Sequence, residues 1–134
     1  MFILIQVMQE VGNPTMIFNN AGIAKPQTIW EMDTATLEKT CQVNLISHMI
    51  ILRQFMPKMI EAKKGHIVAT CSIAGLTAIP LASPYVASKH GVHGLMEAIR
   101  MDLTFLNHDE IVVSTVYPSF VDTSLLTGLT MKIR

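Results

Sequence analysis

The chain has 134 residues, half of them hydrophobic and only 15% charged, which suits one domain or part of one with a sizeable buried core, and argues against disorder. Ten basic side chains balance ten acidic ones, so the formal net charge is zero. That balance excludes the electrostatic footprint of a nucleic-acid or anionic-lipid binder.

The first eight residues, MFILIQVM, are apolar but far short of the roughly 20 that a membrane span needs. They also lack the basic flank and small-residue cleavage site of a signal peptide. TMIFNNAG (residues 15–22) is a short apolar run ending in Asn-Asn-Ala-Gly, the pattern of a buried strand entering a turn. From Asp33 to Ala62 the periodicity is helical, with Asp33 or Thr34 as N-cap. Its middle, Val43 to Leu52, is apolar nearly all round, which predicts a helix covered on more than one side. KKGHIVATCS then reads as a second buried strand, and SIAGLTAIPLAS as a loop. Ser83 is suited to cap the next helix and Pro84 to its first turn. That helix is predicted to run to about Asn107, with Val92, Leu95, Met96, Ile99 and Leu103 on one stripe. IVVSTVYP (residues 111–118) reads as a third buried strand, stopped by proline.

Continuously apolar strands alternating with long helices predict an α/β fold with a partial doubly wound, Rossmann-like parallel sheet in a single domain over residues 1–134. Right-handed crossovers place the carboxyl ends of such strands on one edge, where ligands bind. Asn19–Gly22, Ser72–Gly75 and Pro118–Thr123 each follow a strand, so all three segments converge there.

The stretch SPYVASKHGVHG sets Tyr85 and Lys89 four residues apart, hence neighbours on a helix face. A phenol has an ordinary pKa of about 10, too high for a base at neutral pH. A nearby ammonium stabilises the phenolate and lowers that value, which makes tyrosine a competent general acid or base. Alone, Tyr-x-x-x-Lys is a weak signal, since a solvated helix face explains most instances. Ser72, at the end of the second strand, strengthens it: its hydroxyl and the phenol together suit a single carbonyl oxygen whose charge grows during reduction. Other groups carry less. Cys41 and Cys71 match no metal spacing and read as reduced thiols. His90 and His93 lack a third ligand, and the ten methionines read as core filling. Asp109-Glu110 reads as a solvated turn.

Asn-Asn-Ala-Gly, Ser72 and Tyr85-x-x-x-Lys89, with the spacing between them, resemble the short-chain dehydrogenase/reductase family over residues 11–127. The wording VNLISHMIILRQFMPKMIEAKKGHIVATCSIAGL is most similar to its branch of retinol dehydrogenases and 17-beta-hydroxysteroid dehydrogenases. The resemblance implies strands four to six of the family fold and hydride transfer between NAD or NADP and an alcohol/carbonyl pair, on a small lipophilic substrate of retinoid or steroid type. It implies Ser72 steadying the substrate oxygen, Tyr85 as general acid/base, and Lys89 both lowering the Tyr85 pKa and binding the nicotinamide ribose. Asn44 matches the family asparagine that helps hold a water in the proton relay. Asn20, Ala21 and Gly22 match the motif bordering the cofactor, and Pro118, Val121 and Thr123 the segment at the nicotinamide carboxamide. Here the family's usual Pro-Gly is Pro118-Ser119.

The glycine-rich turn that cradles the pyrophosphate in that family has no counterpart in residues 1–30, whose glycines are Gly12 and Gly22. The chain is expected to open inside the helix before the family's fourth strand, and to leave that strand's outer edge unpaired. An inactive fragment acting through dimerisation is therefore the alternative. The resemblance implies pairing with a second copy or a full-length relative through helices 33–62 and 84–107. It also implies a cytoplasmic location, or association with endoplasmic reticulum or lipid droplets.

Overall fold

The computed structural model describes residues 2–119 and 121. A first helix, α1 (Phe2–Val11), leads into β1 (Met16–Asn19). A long helical stretch follows: α2 (Thr34–Cys41), a π turn (Gln42–Ile46) and α3 (Ser47–Glu61). Then come β2 (Gly65–Thr70), a 3₁₀ turn (Ile73–Gly75), α4 (Ser83–Phe105) and β3 (Ile111–Val116).

The three strands form one parallel sheet in the order β1-β2-β3. Met16 pairs with His66 and Asn19 with Ala69, while Gly65 pairs with Ile111 and Thr70 with Val116. This register brings the carboxyl ends together at Asn19, Thr70 and Val116, the edge predicted to carry the site. The central strand shows why its run of apolar residues was required: Ile67, Val68 and Ala69 are all buried. Ile17, Leu52, Phe55, Met59, Ile67, Val92, Met96, Ile99 and Leu103 form the core between the sheet and α3 and α4. Each of the larger side chains contributes about 1.5–3 kcal/mol through burial.

Several local expectations change. Asp33 is the N-cap of α2, its carboxylate accepting from the Thr36 amide at 2.8 Å. Ser83, by contrast, does not cap α4. Ala82 occupies that position without a side-chain bond, and Ser83 and Pro84 are already helical. Leu95 is only half-buried, and α4 ends at Phe105 rather than Asn107. β3 is not a fully buried strand: Ile111 is buried, but Val112 and Val116 are exposed, since among the described residues nothing pairs beyond β3. The apolar middle of the long helix is also open on one side, at Ile46, Met49 and Ile50. At the opposite sheet edge, Met16 and Phe18 of β1 are exposed, and among the described residues β1 pairs only with β2. No helix among the described residues is long and apolar enough to cross a membrane.

Candidate active site

Tyr85 and Lys89 lie one turn apart near the start of α4, and Ser72 follows β2 by two residues. Lys89 is 3% exposed, which for an ammonium demands a partner. Its Nζ donates to the Thr70 carbonyl at 2.9 Å and stands 5.7 Å from the centre of the Tyr85 ring. The Ser72 side chain accepts from the Ala74 amide at 3.1 Å, which fixes it at the mouth of the 3₁₀ turn. Its hydroxyl is also near enough to favour the Tyr85 phenolate. The predicted triad thus shares one region at the carboxyl edge.

The electrostatics differ from the expectation. Burial pushes the Tyr85 pKa up, the Ser72 hydrogen bond opposes this, and the neighbouring Cys71 adds a small upward push. Lys89 is not among the groups that move the Tyr85 value, and burial pushes its own pKa down. At neutral pH the phenol is held protonated.

Asn44 is wholly buried. The π turn that contains it widens the helix by one residue, a feature common at functional sites. Just after it the Ser47 hydroxyl donates back to the Val43 carbonyl at 2.7 Å. The Asn44 side-chain amide is taken up by protein partners. Its Oδ1 accepts from the Ile23 amide at 2.8 Å, and its Nδ2 donates to the Ile23 carbonyl at 2.9 Å and to Ser88 Oγ at 3.0 Å. Ser88 in turn donates to the Tyr85 carbonyl at 2.7 Å. One network therefore joins the turn after β1, the π turn and the catalytic helix.

The Asn20-Ala21-Gly22 turn lies against this network. A Cβ placed on Gly22 would lie 3.5 Å from Lys89 Nζ and 3.7 Å from Asn44 Oδ1. Asn20 and Ala21 are exposed, and Pro118 is half-buried with its carbonyl accepting from the Ile73 amide at 3.0 Å. Val121 is exposed, and Thr123 lies outside the described residues.

Gly75 is needed for space. A Cβ there would sit 2.5 Å from Cys71 Sγ and 2.9 Å from the Lys89 carbonyl, and the second is backbone that cannot swing away. Gly75→Ala is expected to cost about 2–3 kcal/mol through overpacking. Chemical denaturation measures this, and an unchanged midpoint would contradict the tight Gly75–Lys89 contact.

Two buried polar residues beside the site were missed from the sequence. Ser88 is three residues from Tyr85 on an otherwise apolar face, and His48 is one turn beyond Asn44; polarity inside a buried window was the available signal. His48 is 1% exposed, and neither ring nitrogen makes a hydrogen bond of ordinary geometry among the described residues. Burial first, and then the Lys89 charge, push its pKa below 6.5, while the Ala21 backbone opposes them weakly. The folded state therefore keeps His48 neutral where the unfolded chain takes up a proton. The associated stability is complete above about 6.5 and is lost as pH falls through the depressed folded value. His48→Leu is expected to flatten the loss of stability with acidification, measured as denaturation midpoints from pH 7.5 to 5. A slope equal to wild type would remove His48 as its source.

Residues 3–133 match the short chain dehydrogenase family. A bovine protein named short-chain dehydrogenase/reductase family 16C member 6 is 35% identical over 127 residues, covering 95% of this chain and 40% of its own. Retinol dehydrogenase 10 of Xenopus tropicalis is 34% identical, with 95% and 37% covered. Human 17-beta-hydroxysteroid dehydrogenase 13 is 35% identical over 118 residues, with 88% and 39% covered. Among solved structures, a short-chain dehydrogenase/reductase from Burkholderia phymatum in complex with NAD superposes with a TM-score of 0.87 at 31% identity, covering 94% of this chain and 45% of that one. The chain thus spans about two fifths of the length of the curated relatives it matches. With its parallel sheet and Ser72, Tyr85 and Lys89 at the carboxyl edge, the chain belongs to the short-chain dehydrogenase/reductase family.

Proposed function

We propose that this chain carries the catalytic residues of an NAD(P)-dependent oxidoreductase that interconverts an alcohol and a carbonyl on a small lipophilic substrate. The observation that carries the reading is the meeting of Ser72, Tyr85 and Lys89 at one edge, with the ammonium 5.7 Å from the phenol ring. In the reducing direction Ser72 donates a hydrogen bond to the substrate oxygen, and Tyr85 delivers its proton there as negative charge develops. In the oxidising direction the Tyr85 phenolate takes the alcohol proton. Burial holds the phenol protonated near neutrality, so the acid role is ready, and the base role gains as pH rises. Asn44 acts as a positioning residue, through Ile23 and Ser88.

The donor set fits a nicotinamide cofactor. An ammonium has three donors, and Lys89 uses one on the Thr70 carbonyl among the described residues, leaving two suited to ribose hydroxyls. Asn20, Ala21 and Gly22 would border the cofactor, and Pro118 and Val121 would face its carboxamide. When bound, it supplies or accepts the hydride. NAD and NADP both suit these residues. The names of the relatives support a retinoid or steroid alcohol as substrate. Titration of the full chain with NAD(H) and NADP(H), followed by retinol and steroid alcohols, tests the reading. Binding at about micromolar Kd with alcohol-dependent reduction of the cofactor is expected; neither binding nor turnover would overturn it.

A second reading, association with a second copy or a full-length relative, is favoured by apolar side chains exposed on both long helices: Met49 and Ile50 of α3, Met101 and Phe105 of α4. Sedimentation showing a monomer at all concentrations would sink it.

A further inference from the structure

His93 and Tyr117 take no part in the proton transfer above, yet they tie the catalytic helix to the segment leaving β3. His93 is four residues beyond Lys89 on α4, and Tyr117 immediately precedes Pro118. His93 Nδ1 and the Tyr117 hydroxyl are 2.7 Å apart. Their rings also meet edge-to-face, with centres 5.8 Å apart and planes at 63°. Both residues are half-buried, so the bond is partly screened from competing water.

The segment needs such a tie. β3 ends at Val116, whose carbonyl takes the Cys71 amide at 2.8 Å, and Pro118 then has no N–H to continue a ladder. Beyond that point the backbone is held on the Ser72 side by the Ile73 amide on the Pro118 carbonyl, at 3.0 Å. The only side-chain bond from this segment to α4 among the described residues is the one to His93. Ser119 and Val121 beyond it are exposed.

We propose that His93 and Tyr117 form a latch that positions the Pro118 segment against the helix bearing Tyr85 and Lys89, so that two walls of the nicotinamide pocket move as one body. The latch itself rests on geometry; its catalytic consequence rests on the oxidoreductase reading. Tyr117→Phe keeps the ring contact and removes the hydroxyl, while His93→Asn places an amide where Nδ1 stood and can renew the bond.

The experiment uses the full chain in two arms. Amide hydrogen exchange followed by NMR is expected to quicken about tenfold at Ile73, whose amide is bonded to the Pro118 carbonyl, in Tyr117→Phe and His93→Ala, and to return toward wild type in His93→Asn. In steady-state kinetics the KM for the nicotinamide cofactor is expected to rise about tenfold in the first two variants, with kcat changed less than about twofold, and to recover in the third. Unchanged exchange in both disrupting variants overturns the latch. Faster exchange with an unaltered cofactor KM overturns its link to the pocket. A wild-type chain that binds no cofactor counts against the oxidoreductase reading instead, and the exchange arm then decides the latch alone.

Discussion

Tyr85→Phe is expected to lower alcohol oxidation by the full chain by about a thousandfold, with the cofactor Kd changed by less than about twofold. A thousandfold is about 4 kcal/mol of barrier, within the range of a positioned proton donor or acceptor. The ring stays and only the hydroxyl goes, so packing against Lys89 survives. Ser72 keeps its bond to the Ala74 amide and retains a proton for the substrate oxygen, but a serine hydroxyl is too weakly acidic to replace the phenol. Stopped-flow and steady-state rates at matched cofactor saturation measure the effect. Activity within about tenfold of wild type would move the acid/base role to another group.

The second large effect concerns stability. Asn44→Ala removes three hydrogen bonds, two to the Ile23 backbone and one to Ser88. At about 1 kcal/mol each these total about 3 kcal/mol, and alanine returns only about 0.6 kcal/mol as the better helix former. A net loss of about 2–3 kcal/mol is expected, and a melting temperature lower by about 10 °C. Calorimetry checks it. A shift under about 2 °C would mean that Ile23 and Ser88 find other partners once the amide is gone.

The element order and the converging carboxyl ends were legible because long apolar runs and helical periods are properties of contiguous sequence. So was the meeting of Ser72, Tyr85 and Lys89, since two of them share a helix and the third ends the neighbouring strand. What could not be read depends on surroundings. IVVSTV has the composition of a buried strand, yet its burial is decided by what flanks β3, and nothing described pairs beyond it. Ser83 is a good cap by type, but the chain is already helical at Ser83, which leaves Ala82 in the cap position. The four-residue spacing of Tyr85 and Lys89 gives proximity, whereas the direction of the tyrosine shift is set by burial, which acts on both groups. Asn44 stood out as polar among apolar neighbours, but no periodicity announced the π turn around it.

That turn has a consequence for how the long helix tolerates change in length. Five residues, Gln42–Ile46, wind through it, so the helix holds one residue more than regular winding requires. Deleting a single residue there, such as Val43, returns ordinary winding while Leu52, Phe55 and Met59 keep the same azimuth toward the sheet. The same deletion anywhere later in α3 rotates everything downstream by about 100° and turns those anchors away. The helix therefore has one place where shortening spares its packing, and there it swings the asparagine off the Ile23 backbone.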